Sequence, residues 1–272
     1  MISIKNNSEF DINVDANEYQ GKVIYHLHNL AIYKSDLLSH KGNVDEFSIH
    51  VTLDDYNKQF WKTFSTQIVP EIHPNGAVPK IVNNVRTGKN IITFRAKSVT
   101  PLNKHLTNNA GQLYYQNAEA LIKHAHLAMK NLEKNGLGIV NFDVNDFIVI
   151  NDEYFLFINS EKVLFFNEDS DTGKSFMINE PIEKGAFSSP ELVNISSLPF
   201  KLPLQCGLFS LGSFVGTMIT STHLNIEHHD DLSSHSKNVE KFLFEILDTK
   251  LYWCLKKCLN KDPIKRVFLL IH

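Results

Sequence analysis

The stretch GLGIVNFDVNDFIV, residues 136–149, places acids and amides between apolar segments. Its polar positions include Asn141, Asp143 and Asp146, and it joins a helix-like segment to the strand-like run EYFLFIN. A loop in that setting often carries catalytic residues, and carboxylates are ligands that Mg²⁺ prefers. Asp146 is therefore a candidate cation ligand. One carboxylate without a second ligand is a poor Mg²⁺ site, so a solvated or backbone-bonded aspartate is the simpler interpretation.

A second set of possible metal ligands lies in HLNIEHHDDLSSH, residues 223–235. The segment gathers the imidazole and carboxylate side chains of His223, His228, His229, Asp230, Asp231 and His235. A metal site is one interpretation of these residue types. A polar surface loop between two helices fits their spacing better.

The elements that must position these residues change character along the chain. The first third contains β-branched and aromatic runs such as KVIYHLHNLAIYKSDLL and EFSIHVTL, which predict strands. Within it, residues 54–69 predict a helix capped by Asp54 or Asp55, because apolar residues recur every four positions. The later part predicts helices, of which the first stops near Gly136. A β-rich part followed by an α-rich part predicts an α+β fold of two lobes, with a hinge near residues 97–104.

Composition limits the classes of protein to which the chain can belong. It has 272 residues, 43% of them hydrophobic, which is enough for a sizeable core. The formal net charge of −3 does not indicate a nucleic-acid-binding domain. Three cysteines without a CxxC pair favour a reduced, cytoplasmic setting. No signal-peptide h-region is visible, and no apolar run approaches the ~20 residues that a membrane-spanning helix needs.

Several segments, in order along nearly the whole chain, resemble landmarks of the protein-kinase fold. The loop at 136–149 is similar to the catalytic loop GIIHRDLKPENILV. Further matches are FSIHV to the third strand, SSPEL to the A-P-E segment, GLFSLGSFVGTMIT to the buried F-helix and CLNKDPIKR to the closing CLxKDPxKR. The resemblance implies a bilobal kinase-like fold, with a β-rich N-lobe in residues 1–100 and an α-helical C-lobe in residues 101–272.

On this alignment the residues that carry out phosphoryl transfer are replaced. His50 stands where the family has the phosphate-gripping lysine, Asn141 where it has the catalytic aspartate, and Asn159 where it has the DFG aspartate. Asp146 falls on the metal-binding asparagine, Gly207 replaces the F-helix aspartate, and no glycine-rich loop is present. An amide cannot accept a hydroxyl proton as a carboxylate does. The resemblance therefore implies a pseudokinase that is not an enzyme, with absent or weak binding of ATP and Mg²⁺.

Positions that support the kinase fold structurally are retained in this sequence better than the catalytic positions are. Glu191 and Arg266 match two residues that form a buried ion pair in the kinase fold, and we expect the same pair here. Strand-like runs after the loop contain aromatic residues that we expect in the core: Phe155, Phe157, Phe165 and Phe166.

A more specific resemblance lies in FSIHV (47–51), HPNG (73–76) and VTPLNKHL (99–106). These segments are similar to SIFV, HPNI and VTPL of the Scy-like pseudokinases. That family acts as scaffolds in Golgi–ER vesicle traffic through the COPI coat, and fungal relatives take part in tRNA export. The resemblance implies protein partners, such as vesicle-coat components or the tRNA-export machinery, and a cytoplasmic or Golgi-associated location. We expect none of the family's helical HEAT repeats within this sequence.

Two other functions stay open on the sequence. One is a divergent enzyme that binds ATP in an altered pose and transfers a phosphate or a nucleotide. The other is direct RNA binding through the basic run LKKCLNKDPIKR, against which the mild overall acidity argues. A Mg²⁺-dependent rise in melting temperature with ATP would distinguish the enzyme from the pseudokinase.

Overall fold

The computed structural model describes residues 21–28, 30–35, 45–68, 80–84, 89–109, 111–170, 173–225 and 232–270. The chain divides into two compact units, Met1–Val99 and Thr100–His272. It is a mixed α+β protein, with an antiparallel sheet followed by helices. The HPNG turn and residues 226–231 of the histidine-rich segment lie outside the described residues.

The first unit contains a five-stranded antiparallel sheet with the order β1-β2-β3-β5-β4. Its strands are β1 (Gly21–Leu27), β2 (Leu30–Ser35), β3 (Asp45–Thr52), β4 (Lys80–Asn84) and β5 (Lys89–Ala96). In β3 the side chains of Phe47, Ile49 and Val51 are all buried. Successive side chains of a strand point to opposite faces, so these three pack on one face and His50 lies on the other.

A short helix follows this strand, and it begins later than the sequence predicts. It is α1 (Lys58–Thr63), which continues into one π-helical turn at Phe64–Ile68. The Asp54 carboxylate accepts the main-chain N–H of Asn57 at 2.7 Å, so this segment forms a turn instead of the first helical residues. The four-residue spacing did identify the buried face, which contains Phe60, Phe64 and Ile68.

The second unit contains most of the helices and three small sheets. Its helices are α2 (Leu102–Asn108), α3 (Tyr115–Glu133), α4 (Pro190–Val193), α5 (Cys206–Thr220), α6 (Leu232–Phe242) and α7 (Lys250–Cys258). One sheet contains β6 (Val99–Pro101), β8 (Phe147–Ile150) and β9 (Tyr154–Phe157). The other strands are β7 (Leu137–Ile139), β10 (Val163–Phe165), β11 (Asn167–Asp169), β12 (Gly173–Ile178) and β13 (Phe200–Pro203), paired as β7-β10 and β11-β12-β13. As predicted, the long helix stops shortly before Gly136, whose φ of +75° favours glycine.

The core of this unit is aromatic and lies beneath the loop at 136–149. Phe147 stacks on Phe214 with ring centroids 5.5 Å apart, and Phe142 meets Phe157 edge-on at 5.4 Å. The expectation that Phe165 belongs to this core is wrong, because its side chain is 58% exposed. Along β10 burial decreases from Val163, which is buried, through Leu164, which is partly buried, to Phe165 at the end of the strand.

Within the described residues, no helix is both long enough and apolar enough to cross a bilayer.

Candidate functional site

The loop that follows β7 is fixed at both ends by main-chain hydrogen bonds. Strand β7 pairs antiparallel with β10, and the N–H of Val140 donates to the carbonyl of Lys162 at 3.0 Å. Farther along, the N–H of Ile158 donates to the carbonyl of Asp146 at 2.8 Å. These bonds bring the loop at 139–146 against the turn at 159–162, although the two are separate in sequence.

Helix α5 supports the same loop from below. Gly207 lies so close that a Cβ atom added to it would be 2.3 Å from the carbonyl oxygen of Ile139. The Cys206 thiol donates to the carbonyl of Val140 at 3.4 Å, and the Ser210 hydroxyl accepts the N–H of Phe142 at 2.8 Å. Direct packing and two polar contacts therefore hold the loop.

Four polar residues meet where the loop and the turn touch, and we call them the Asp146 cluster: Asp143, Asp146, Asn159 and Lys162. The Asp146 carboxylate is fully buried. It accepts hydrogen bonds from the Asn159 amide at 2.8 Å, from the Lys162 ammonium at 2.8 Å and from the Asp143 N–H at 2.6 Å. The Asn159 oxygen in turn accepts the N–H of Glu161 at 3.0 Å.

Opposing effects act on the charge of Asp146. Burial raises the pKa of its carboxyl group, because the carboxylate loses solvation by water. The positive charge of Lys162 and the hydrogen bonds from Asn159 and Asp143 lower that pKa, and the net direction is upward. The Lys162 side chain is only 18% exposed, so the cluster encloses an ion pair that is mostly shielded from water.

This arrangement determines what the cluster can do chemically. Both carboxylate oxygens of Asp146 already accept hydrogen bonds, and one of them contacts a cation that belongs to the protein. A metal ion would have to expel Lys162, which would leave a buried ammonium without its partner. In the described ranges, no group of three or more His, Cys, Asp or Glu residues is arranged to hold a metal.

The other predicted positions make contacts of their own. Asn141 is buried, and its amide donates to the carbonyl of Glu183 at 3.2 Å. His50 belongs to the first unit, where its Nε2 atom lies 3.0 Å from the Ser48 hydroxyl. Its ring also packs on Tyr33, with centroids 4.0 Å apart. The structure therefore brings Asp146 and Asn159 together, while Asn141 contacts Glu183, and His50 contacts Ser48 and Tyr33.

Glu191 and Arg266 form a two-pronged ion pair. Arg266 Nη1 contacts Glu191 Oε1, and Nη2 donates to Oε2 at 3.0 Å. The arginine side chain is 0% exposed and that of the glutamate 14%. The guanidinium also lies over the Phe209 ring, 4.8 Å from its centroid, which joins the pair to α5. The bidentate geometry is the strong form of a charge-assisted hydrogen bond.

Sequence reasoning missed two residues of this site, Lys162 and Ser210. A lysine beside a glutamate in a charged turn looks like a solvent-exposed residue. The available signal was its position, directly before a strand and three residues after Asn159. Ser210 gave a weaker signal, as a polar residue within the otherwise apolar GLFSLGSF segment.

A scan of the sequence against protein-family models finds no match, and a search of curated proteins finds no similar protein.

Proposed function

We propose that this protein is a catalytically inactive member of the protein-kinase-like fold, with a β-rich N-lobe and a helical C-lobe, that acts as a protein-interaction scaffold. The observation that carries the proposal is the Asp146 cluster. In a kinase the two corresponding positions face a metal ion that bridges the phosphates of ATP. Here Asp146 and Asn159 bind each other, and the Lys162 ammonium neutralises the carboxylate.

The charge at this position supports the same proposal. A divalent ion brings two positive charges to the phosphates, whereas Lys162 brings one, and its contact is with Asp146. Asn159 offers only an amide oxygen, and that oxygen accepts the N–H of Glu161. Asn141 has no carboxylate with which to take a proton from a substrate hydroxyl. Phosphoryl transfer depends on positioning and charge neutralisation, and these residues provide neither.

The ion pair of Glu191 and Arg266 supports the scaffold half of the proposal. A buried pair contributes little net stability, yet losing one member is costly, so it fixes a shape once it is present. A protein that works through its surface needs that shape without the chemistry. By resemblance to the Scy-like pseudokinases, we place the scaffold in Golgi–ER vesicle traffic through a COPI-type coat, or in tRNA export.

The test is a thermal melt of the protein with and without ATP at millimolar concentration, each in the presence and absence of Mg²⁺. A ligand at 100 times its Kd stabilises the folded state by about 2.7 kcal/mol. For a protein of this size, that free energy raises the melting temperature by roughly 5–10 °C. We expect no Mg²⁺-dependent rise and no phosphate transfer from radiolabelled ATP.

A Mg²⁺-dependent rise would overturn the proposal and favour the divergent nucleotide-binding enzyme. The matched control is Asp146→Asn, because it removes the carboxylate on which a metal would depend. A rise that persists in this variant would locate the nucleotide away from the Asp146 cluster, and a rise that disappears would locate it there.

A further inference from the structure

Two of the three cysteines lie together on helix α7. Cys254 and Cys258 are four residues apart, a spacing that places both side chains on the same face of the helix. Both residues are 0% exposed, and both are free thiols. The two thiols are hydrogen-bonded to each other. The helix therefore presents two sulfur atoms in contact, in a place that bulk water does not reach.

A short segment after the helix covers this thiol pair. The Cys258 thiol donates to the carbonyl of Val267, with 3.8 Å between sulfur and oxygen, and the main-chain N–H of Leu269 donates to the Cys254 sulfur. Val267 and Leu269 are themselves 47% and 52% exposed. Residues 266–270 belong to no helix or strand, so a small ion can reach the thiols by displacing this segment without breaking regular secondary structure.

The helical spacing disfavours one use of a thiol pair, which is closure into a disulfide. Side chains four residues apart on a helix have Cβ atoms about 5–6 Å apart. A disulfide needs about 3.5–4.5 Å between those atoms. Closing the bond would therefore break the last turn of α7. Two bonds to a shared metal ion, each about 2.3 Å long in zinc thiolates, span the wider gap.

The donor set indicates which kind of metal ion suits the pair. In the part of the chain that the structure describes, no third His, Cys, Asp or Glu joins the two thiols in a group that could hold a metal. Zinc sites in proteins use three or four protein ligands, so two thiols are too few for zinc. Cu(I) is a soft ion that prefers thiolate ligands, and it forms stable complexes with only two of them.

We propose that Cys254 and Cys258 form a two-coordinate thiolate site for Cu(I). On binding, the ion forms one bond to each sulfur atom, and the two thiol protons pass to water, so no electron is transferred. The resulting complex carries one net negative charge. The Leu269 N–H, which already donates to the Cys254 sulfur, stabilises that charge.

This inference is independent of the proposed function. The thiol pair contains no residue of the Asp146 cluster, and Cu(I) differs from Mg²⁺ in the ligands that it prefers. Failure of the copper experiment would leave the inactive-kinase proposal standing, and binding of Mg²⁺ with ATP would leave the copper proposal standing.

The experiment is an anaerobic titration of the reduced full chain with Cu(I), in competition with the coloured chelator bicinchoninate. We expect one Cu(I) per chain to leave the chelator, and a sulfur-to-copper charge-transfer absorption to appear in the ultraviolet. X-ray absorption at the copper edge should show two sulfur neighbours. The affinity should rise as the pH is raised, because binding releases protons.

Cysteine variants locate the ion. Cys254→Ser and Cys258→Ser should each abolish the transfer of Cu(I), with circular dichroism confirming that the variants are folded, and Cys254→Ala and Cys258→Ala provide a second pair that keeps the site apolar. Cys206→Ser is the matched control, because Cys206 is equally buried but lies on α5, where its thiol donates to the Val140 carbonyl. This variant should bind Cu(I) as the wild-type protein does.

Three results would overturn the proposal. They are no transfer of Cu(I) to the wild-type chain, transfer that survives in the variants of both Cys254 and Cys258, and bound copper with oxygen or nitrogen neighbours in place of two sulfurs.

Discussion

Replacing Arg266 with alanine tests whether the second unit depends on its internal ion pair. Besides the two contacts with Glu191, the guanidinium donates to the main-chain carbonyls of Asn260 at 2.7 Å, Lys261 at 3.1 Å and Gln205 at 3.3 Å. One side chain thus joins α4, the start of α5 and the segment after α7. The substitution removes all of these bonds at once.

The expected magnitude follows from the burial of the pair. Because Glu191 is only 14% exposed, removing its partner leaves a poorly solvated carboxylate, which costs about 3–5 kcal/mol. Three carbonyls also lose a donor, and each that water cannot reach adds roughly 1 kcal/mol. A total of about 4 kcal/mol or more would lower the melting temperature by roughly 8–16 °C in a unit of this size.

The assay is thermal unfolding followed by far-ultraviolet circular dichroism, with urea unfolding for the free energy. Lys265→Ala is the matched control, because this neighbouring side chain is 68% exposed and should change stability by less than about 0.5 kcal/mol. Arg266→Lys keeps the charge without the planar fork, so we expect an intermediate loss. A loss below about 1 kcal/mol for Arg266→Ala would refute the reasoning, since a buried, fully bonded guanidinium cannot be removed so cheaply.

Three further substitutions probe the loop and the helix beside it. Gly207→Asp should destabilise by about 3 kcal/mol or more, because its Cβ would collide with the Ile139 carbonyl. Asn159→Asp should destabilise at neutral pH by placing a second carboxylate against Asp146. One carboxyl pKa of that pair would rise, so stability should be present below about pH 3.9 and lost as pH rises through the raised value. His124 is partly buried, and its lost solvation, with the nearby charge of Lys123, lowers its pKa to about 4. Stability should therefore be lost as pH falls from about 6.5 towards 4, and His124→Gln should reduce that loss.

Matched variants make these results specific. Gly185→Asp is the control for the glycine, because a Cβ there would meet only the Asn141 amide, at 3.9 Å. Asn179→Asp is the control for the asparagine, because Asn179 is exposed in a loop. Equal melting temperatures for Gly207→Asp and Gly185→Asp, or for Asn159→Asp and Asn179→Asp, would contradict the packing described. For His124, the measurement is the melting temperature as a function of pH. Identical profiles for His124→Gln and the wild-type protein would contradict the predicted titration.

The sequence was informative wherever the hydrophobic pattern repeats. The long helix Tyr115–Glu133 and the antiparallel pairing of β4 with β5 both follow from local patterns. The three-stranded sheet of β11, β12 and β13 could not be predicted from local patterns, because β13 follows a long irregular segment and pairs with a distant strand. The pairing of distant strands depends on tertiary packing that local propensity does not encode.

In the candidate site, too, some features could be predicted from the sequence and others depend on tertiary packing. The resemblance to the kinase family implied that Asp146 and Asn159 act at one site, and in the structure the Asn159 amide lies 2.8 Å from the Asp146 carboxylate. The Asn159 amide donates to a buried carboxylate, which is why we expect an aspartate at position 159 to lower stability. For Lys162 the sequence offered only its position after Asn159, because its contact with Asp146 depends on a main-chain bond between Val140 and Lys162 that the fold creates.

The most direct test of the central idea is a calorimetric titration of the wild-type protein with Mn²⁺, which takes oxygen ligands similar to those of Mg²⁺. If Lys162 already serves as the cation of Asp146, no saturable binding should occur up to about 1 mM, the range of weak protein sites. Saturable binding that disappears in Asp146→Asn would show that the carboxylate is open to metal ions, and it would contradict the account.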